Sequence, residues 1–201
     1  MRTGVGIPHL GGAQAFVLHR EHQDCTTLIR QLGAIGLETT AAWPELPPQA
    51  MLADFVFFDA DMGFDQQMPW PTGQAPMPLI AMMGSEAPGR IEWALRQRAD
   101  AHLTKPLRNS GVYAALVIAR QRFDERAGLM REIAALRAQV DERRTVLQAL
   151  LRLTHEGLSE AEAYDRLRRT AMDRRITIEQ AAATLVAGPS AGGARERTRR
   201  L

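Results

Sequence analysis

The apolar residues of this chain fall into short solid blocks before residue 110 and into a helical rhythm after it. AFVL at 15–18 is one such block with polar residues behind it, the pattern of a buried strand. DFVFF at 54–58 and PLIAMM at 78–83 are two more, and Ala101–Leu103 is a shorter fourth. After the first block, Cys25, Leu28, Ile29, Leu32 and Ile35 recur at helical spacing over 23–36, where Gly33 weakens the helix and Gly36 ends it. Ile91, Ala94 and Leu95 predict another helix over 86–98. ADMGFDQQMPWPTGQAPMP, at 60–78, is too rich in Pro and Gly for more than a stunted helix. Buried strands alternating with helices predict an α/β fold, a parallel sheet with helices on both faces.

Beyond Asn109 the texture changes, and no proline occurs between Pro106 and Pro189. Leu129, Ile133, Leu136, Val140, Leu147 and Leu150 mark a heptad seam, with Arg143 in the missing slot. A helix packed on its own domain would show a similar stripe. Flanking charges, among them Arg126, Glu132, Arg137, Asp141 and Glu142, favour an exposed helix that pairs with a second chain. A coiled-coil dimerisation helix is expected over 121–150. Gly157 breaks the pattern. Ser159 with Glu162, and Thr177 with Gln180, are capping boxes that start two more helices. Residues 145–187 therefore predict a module of three short helices.

Bulk composition changes the picture only at its margins. At 45% hydrophobic the chain is globular, and no apolar run reaches the ~18 residues of a membrane span. Residues 1–12, Gly-rich and without a secretory apolar block, predict a disordered leader, and 188–201 a basic disordered tail. The single cysteine, Cys25, gives neither a disulfide framework nor a cysteine metal site, and the expected compartment is the cytoplasm. Residues 1–119 hold 8 Lys/Arg against 11 Asp/Glu, or −3, while 120–201 hold 17 against 12, or +5. An acidic partner such as nucleic acid would meet the C-terminal part.

One basic residue stands out chemically. Lys105, in AHLTKPL at 101–107, is the only lysine beside 24 arginines. A compact ammonium on a flexible stem differs from a planar guanidinium fork, so this site asks for a point charge. DFVFFD at 54–59, PLIAMMG at 78–84 and HLTKPL at 102–107 resemble strands three, four and five of a response-regulator receiver domain. The resemblance implies a flavodoxin-like five-stranded parallel sheet in the order 2-1-3-4-5, spanning 13–120. It also implies a phosphoacceptor position at Asp59 and the phosphoryl-contacting lysine at Lys105. Other parts of the receiver machinery are missing. Where receivers carry an acidic pair for Mg²⁺, this chain has His19-Arg20-Glu21, and Met83 replaces the hydroxyl residue ending strand four. Mg²⁺ needs hard oxygen ligands, so the expectation is a pseudo-receiver in which Asp59 and Lys105 form a structural ion pair.

LSEAEAYDRLRRTAMDRRITIEQAAATLV, residues 158–186, resembles the ANTAR domain, a three-helix RNA-binding output module of transcription antiterminators. The layout of degenerate receiver, long helix and ANTAR module resembles the AmiR type of aliphatic-amidase operon antiterminator. LETTAAWPELPP at 37–48 matches that family's second strand and Trp-Pro turn. The resemblance implies leader-mRNA hairpins as ligand, a homodimer, and an amide-sensor-like protein that holds the antiterminator silent. No Ser–His–Asp or phosphate-loop pattern appears, so neither an enzyme nor a cofactor is expected. On the residues' own evidence, Ala163, Leu167 and Ala171 share a core face of the second module helix. Tyr164, Arg168, Met172 and Arg175 fall on the adjoining flank, which offers a ring for stacking, guanidinium forks and a pliable thioether for unpaired bases. Arg169 and Arg174 add charge nearby. Alternatively Tyr164 caps the small core and the arginines are a solvated face. A DNA-binding response regulator and an adaptor without nucleic-acid binding remain the rival functions. His19, His22 and His102 show no ligand spacing and are expected at the surface or at strand ends. Trp43, Trp70 and Trp93 are expected to fill packing gaps, and Cys25 to be a small buried hydrophobe.

Overall fold

The computed structural model of the chain describes residues 10–108 and 110–188. The chain divides into two compact units, residues 1–128 and 129–201. The expected leader lies mostly outside the described residues, as does the expected tail from 189 onward. Leu10, however, is buried in the first unit's core, and the Gly12 amide donates to Gly36 O at 2.8 Å.

The first unit is a five-stranded sheet of β1 (Gln14–Leu18), β2 (Glu38–Ala42), β3 (Phe55–Asp59), β4 (Leu79–Met83) and β5 (Ala101–Thr104). Its order is β2-β1-β3-β4-β5, and every neighbouring pair is parallel. α1 (Gln23–Ile35) and the start of α3 (Val112–His155) cover one face. There Leu28 and Leu32 meet Val17, Phe57, Leu116 and Ala119. α1 ends at Gly36, whose φ of 102° is left-handed, as the sequence predicts. The apolar pattern misses β2. Its sequence, ETTAA, lies on the sheet's edge with no residue fully buried, so no hydrophobic signal marks it.

The opposite face departs from the usual helix-covered plan. The crossovers into β3 and β4 hold only 3-10 turns, Pro48–Leu52 and Asp65–Gln67, and α2 (Pro88–Arg96) is the one α-helix there. Leu46, Ala50, Met68, Trp70 and Met77 fill the place of helices over Val56, Phe58, Leu79 and Ala81. Buried polar groups fasten this loop packing. Gln67 Nε2 donates to Pro44 O at 2.7 Å, and Gln67 Oε1 accepts from the Phe64 amide at 3.1 Å. Trp93 Nε1 donates to Asp65 Oδ1 at 2.8 Å. Gly63 lies so close to the Trp93 indole that a Cβ would stand 2.2 Å from it. Trp70 and Trp93 are core residues as expected, whereas Trp43 is 41% exposed.

α3 runs 44 residues without a break. The first of the three short helices expected over 145–187 is therefore the last part of this long one. No glycine or proline lies between Gly128 and Gly157 to interrupt it. In the second unit Ala149 and Leu153 of α3 pack against Ala163 and Leu167 of α4 (Glu160–Arg174) and Ala182 of α5 (Ile178–Ala187). Both expected capping boxes form. Glu162 Oε2 accepts from the Ser159 amide at 2.9 Å, and Gln180 Oε1 from the Thr177 amide at 3.1 Å. Among the described residues, no helix is long and apolar enough to cross a membrane.

Candidate functional site

The carboxyl ends of β1, β3 and β5 bring four ionisable side chains together. Asp59 ends β3 and is 3% exposed. Lys105 follows β5, held by its amide on Met83 O at 2.8 Å. Its ammonium lies 2.6 Å from Asp59 Oδ1 and 3.0 Å from Asp61 Oδ2. Two carboxylates converge on one point charge, a geometry that a planar fork matches poorly. Asp61 also accepts from the amides of Gly84 at 2.7 Å and Ser85 at 3.2 Å. Burial works to raise the Asp61 pKa, but the Gly84 amide, Lys105 and the Ser85 amide together hold its carboxyl below the usual range. Gly84 belongs to this arrangement, since a Cβ there would stand 3.1 Å from Asp61 Oδ2.

His19 completes the cluster. It follows β1, is 4% exposed, and places Nε2 3.2 Å from Asp59 Oδ2 and Nδ1 2.6 Å from Arg20 O. The expectation of a surface or strand-end histidine holds only for its position in the chain. The residues do not fit Mg²⁺. Arg20 and Glu21 are exposed, the one side chain from this loop that reaches Asp59 offers nitrogen, and Lys105 already stands on both carboxylates. Among the described residues, no group of three or more His, Cys, Asp or Glu is placed to hold a metal ion.

The second candidate surface lies on α4. Ala163, Leu167 and Ala171 are its buried face. Tyr164, Arg168, Arg169, Met172, Arg174 and Arg175 are all exposed. None of these four arginines forms an ion pair among the described residues, whereas Arg166 lies 3.8 Å from Glu156. Arg175 is not on the helix itself. It is the C-cap, with φ 54° and ψ 43°, and its amide donates to Ala171 O and Met172 O. The helix therefore ends one residue before the sequence pattern expects. Arg152 of α3 braces the module by donating to Leu185 O at 2.9 Å and Gly188 O at 3.0 Å, where α5 has carbonyls to satisfy.

The third surface is the seam on α3. Leu129, Ile133, Leu136, Val140 and Leu147 are between 40% and 62% exposed. Leu150, counted with the seam from sequence, instead packs against the three-helix core. Arg126 is likewise not a free flanking charge, since its guanidinium pairs with the buried Asp100.

Residues 13–120, more than half of the chain, match the family described as AmiR, N-terminal. The chain belongs to that family. Residues 134–186 of this AmiR-family chain match the ANTAR domain, and the two matches together mark it as a transcription regulator. It is 33% identical over 107 residues to the transcriptional regulatory protein PdtaR of Mycobacterium tuberculosis, spanning 52% of each chain. It spans about half of PdtaR's length. It is 28% identical over 185 residues to the aliphatic amidase regulator of Pseudomonas aeruginosa, covering 89% of this chain and 93% of that one. Full-length FixJ from B. japonicum superposes on 88% of this chain and 89% of its own with a TM-score of 0.43 at 20% identity. The receiver-like fold of the family's N-terminal part rests on the strand order, not on that superposition.

Sequence reasoning missed His19, Asp61 and Arg152. For His19 a signal existed, because it stands where receivers place an acid. Asp61 also had one, since it lies two residues after Asp59 at the end of a buried strand. Arg152 gave none. Its role depends on where α5 ends in space, and no local pattern encodes that.

Proposed function

We propose that the chain is an antiterminator that binds a structured leader RNA as a dimer and is controlled by a protein partner rather than by phosphorylation. The observation that carries this reading is the flank of α4. An exposed ring, an exposed thioether and unpaired guanidinium groups stand on a small capped module, beside the face of α4 that is core. Unpaired RNA bases are bound by stacking on aromatic rings and on planar cations, and phosphates by arginine. The exposed heptad seam supports a dimer that presents two such flanks. The cluster around Asp59 supports control without phosphate. Its carboxylate already faces the Lys105 ammonium, and among the described residues no group of three or more His, Cys, Asp or Glu is placed to hold the cation that phosphoryl transfer requires. By analogy with the aliphatic amidase regulator, the partner is an amide-sensor-like repressor that masks the seam or the RNA flank.

A gel-shift on the leader of the neighbouring operon tests the RNA claim. The full chain is expected to retard the hairpin RNA and to leave duplex DNA of the same sequence unshifted. Preference for the duplex ends the antiterminator reading. Treatment with acetyl phosphate followed by intact-mass measurement tests the control mechanism, which a stoichiometric gain of one phosphate would end.

A further inference from the structure

We infer that His19 is the resident counter-ion of Asp59: its imidazolium takes the electrostatic place of a divalent cation and holds the carboxyl end of the sheet in one charge-balanced state. The inference rests on the pseudo-receiver reading above and goes beyond it by assigning a group to the missing cation's role. Asp59 Oδ1 is served twice, by Lys105 Nζ at 2.6 Å and by the Asp61 amide at 2.9 Å. Asp59 Oδ2 lies 3.2 Å from His19 Nε2, with both side chains 2% exposed. The other ring nitrogen lies 2.6 Å from a carbonyl oxygen, that of Arg20.

Both ring nitrogens therefore look at acceptors. A neutral imidazole carries one hydrogen and one lone pair, so either tautomer aims a lone pair at a buried oxygen. With the hydrogen on Nδ1, the lone pair opposes a carboxylate. With it on Nε2, the lone pair opposes a carbonyl at hydrogen-bond distance. Only the doubly protonated ring turns a hydrogen rather than a lone pair toward each oxygen. The approach to Oδ2 is too bent for a regular hydrogen bond, so the ring acts on Asp59 chiefly as a charge.

The wider surroundings agree. Asp59 comes from β3, Asp61 from the loop behind it, and Lys105 from the end of β5. At the start of α1, His22 lies with its ring 6.0 Å from that of His19 and is itself paired with Asp24 at 3.1 Å. Two carboxylates then face two cations, Lys105 and His19, and the buried cluster closes without a metal.

Three measurements on this chain test the inference. The ¹⁵N imidazole spectrum at neutral pH is expected to show hydrogens on both nitrogens of His19, and a single N–H overturns the inference. His19→Asn keeps a donor toward Asp59 but removes the charge. It is expected to lower the melting temperature by about 5 °C, and an unchanged value overturns the assignment. His19→Asp adds a third carboxylate in place of the cation. Millimolar MgCl₂ is expected to raise that variant's melting temperature and to leave the wild type unmoved. Stabilisation of the wild type by Mg²⁺ to the same degree shows that the imidazole does not fill the cation's place. If His19→Asp fails to fold, the spectrum and the Asn variant still decide. None of these arms contains a phosphoryl donor, so their failure is distinct from a phosphate gain by the wild type.

Discussion

Lys105 and Arg175 each occupy a place where another residue would serve the backbone as well or better. Lys105 bridges Asp59 and Asp61, and Asp61 in turn ties the loop after β3 to the Gly84 and Ser85 amides. The lowered Asp61 pKa makes this tie pH-dependent, with a definite sign. A depressed carboxyl contributes stability above its unfolded pKa, near the ordinary 3.8 of an aspartate, and loses it as pH falls through the lower folded value. Asp61→Asn is thus expected to be less stable than wild type in urea denaturation at neutral pH. The gap should close well below pH 3.8, where both side chains are neutral. Arg175 shows the opposite balance. The chain uses glycine at the left-handed positions after α1 and α3, Gly36 and Gly157, yet arginine after α4. Arg98, also left-handed after α2, keeps its stem within 3.5 Å of where a Cβ on Gly73 would stand. Arg175 has no such neighbour among the contacts described. The left-handed conformation costs a side-chain-bearing residue about 1–2 kcal/mol, and glycine's extra chain entropy offsets about 0.5–1 kcal/mol of any relief. Arg175→Gly is expected to stabilise the module by about 0.5 kcal/mol in thermal unfolding while weakening hairpin binding in a gel-shift. Unchanged RNA affinity would remove Arg175 from the contact surface.

At the scale of elements, sequence legibility followed local signal. Both capping boxes, the αL stop at Gly36, the four solid strands and the buried face of α4 could be read because each is written within a few residues. β2 carries no apolar pattern, and only its likeness to a family gave it away. The helix-poor crossovers were half legible. Pro and Gly forbade a helix at 60–78, but nothing in the sequence announced that Gln67 and Asp65 would fasten the loop in its place. Of the site, the Asp59–Lys105 pair was legible through the likeness to receiver domains, while for His19 that likeness marked the position but not the burial, which depends on residues distant in the chain. The seam of α3 is the element with the sharpest test. Five apolar side chains stand exposed on one stripe, with Arg143 interrupting it. Leu136→Asp is expected to turn the dimer into monomer in sedimentation equilibrium at micromolar concentration. Arg143→Leu should tighten the dimer, since a seam position occupied by a charge lowers coiled-coil stability. A wild-type chain that sediments as a monomer removes the seam's role.

For the whole molecule, the electrostatics of RNA binding and the oligomeric state are one question. The first 119 residues carry −3 and the remainder +5, so attraction to phosphate is concentrated in the part that holds the ANTAR module and the basic tail. Each phosphate contact contributes about 0.7–0.9 to the slope of log affinity against log salt, the lower figure for single strands and the higher for duplex. A single substitution in a monomeric complex therefore removes at most about 0.9 from that slope. In a dimer that grips two hairpins, Arg168→Ala deletes two contacts at once and should flatten the slope by about 1.5. Combining Arg168→Ala with Leu136→Asp separates the two effects. The doubly substituted chain binds one hairpin weakly, and restoring Arg168 on the monomeric background should steepen its slope by only about 0.8. Salt titrations of the four proteins against the same leader RNA thus count the modules engaged per transcript. If Arg168→Ala changes the slope equally on the dimeric and monomeric backgrounds, one module suffices and the seam serves some other purpose. If it changes neither slope, Arg168 makes no phosphate contact, and the charge on this flank of α4 lies idle in RNA binding.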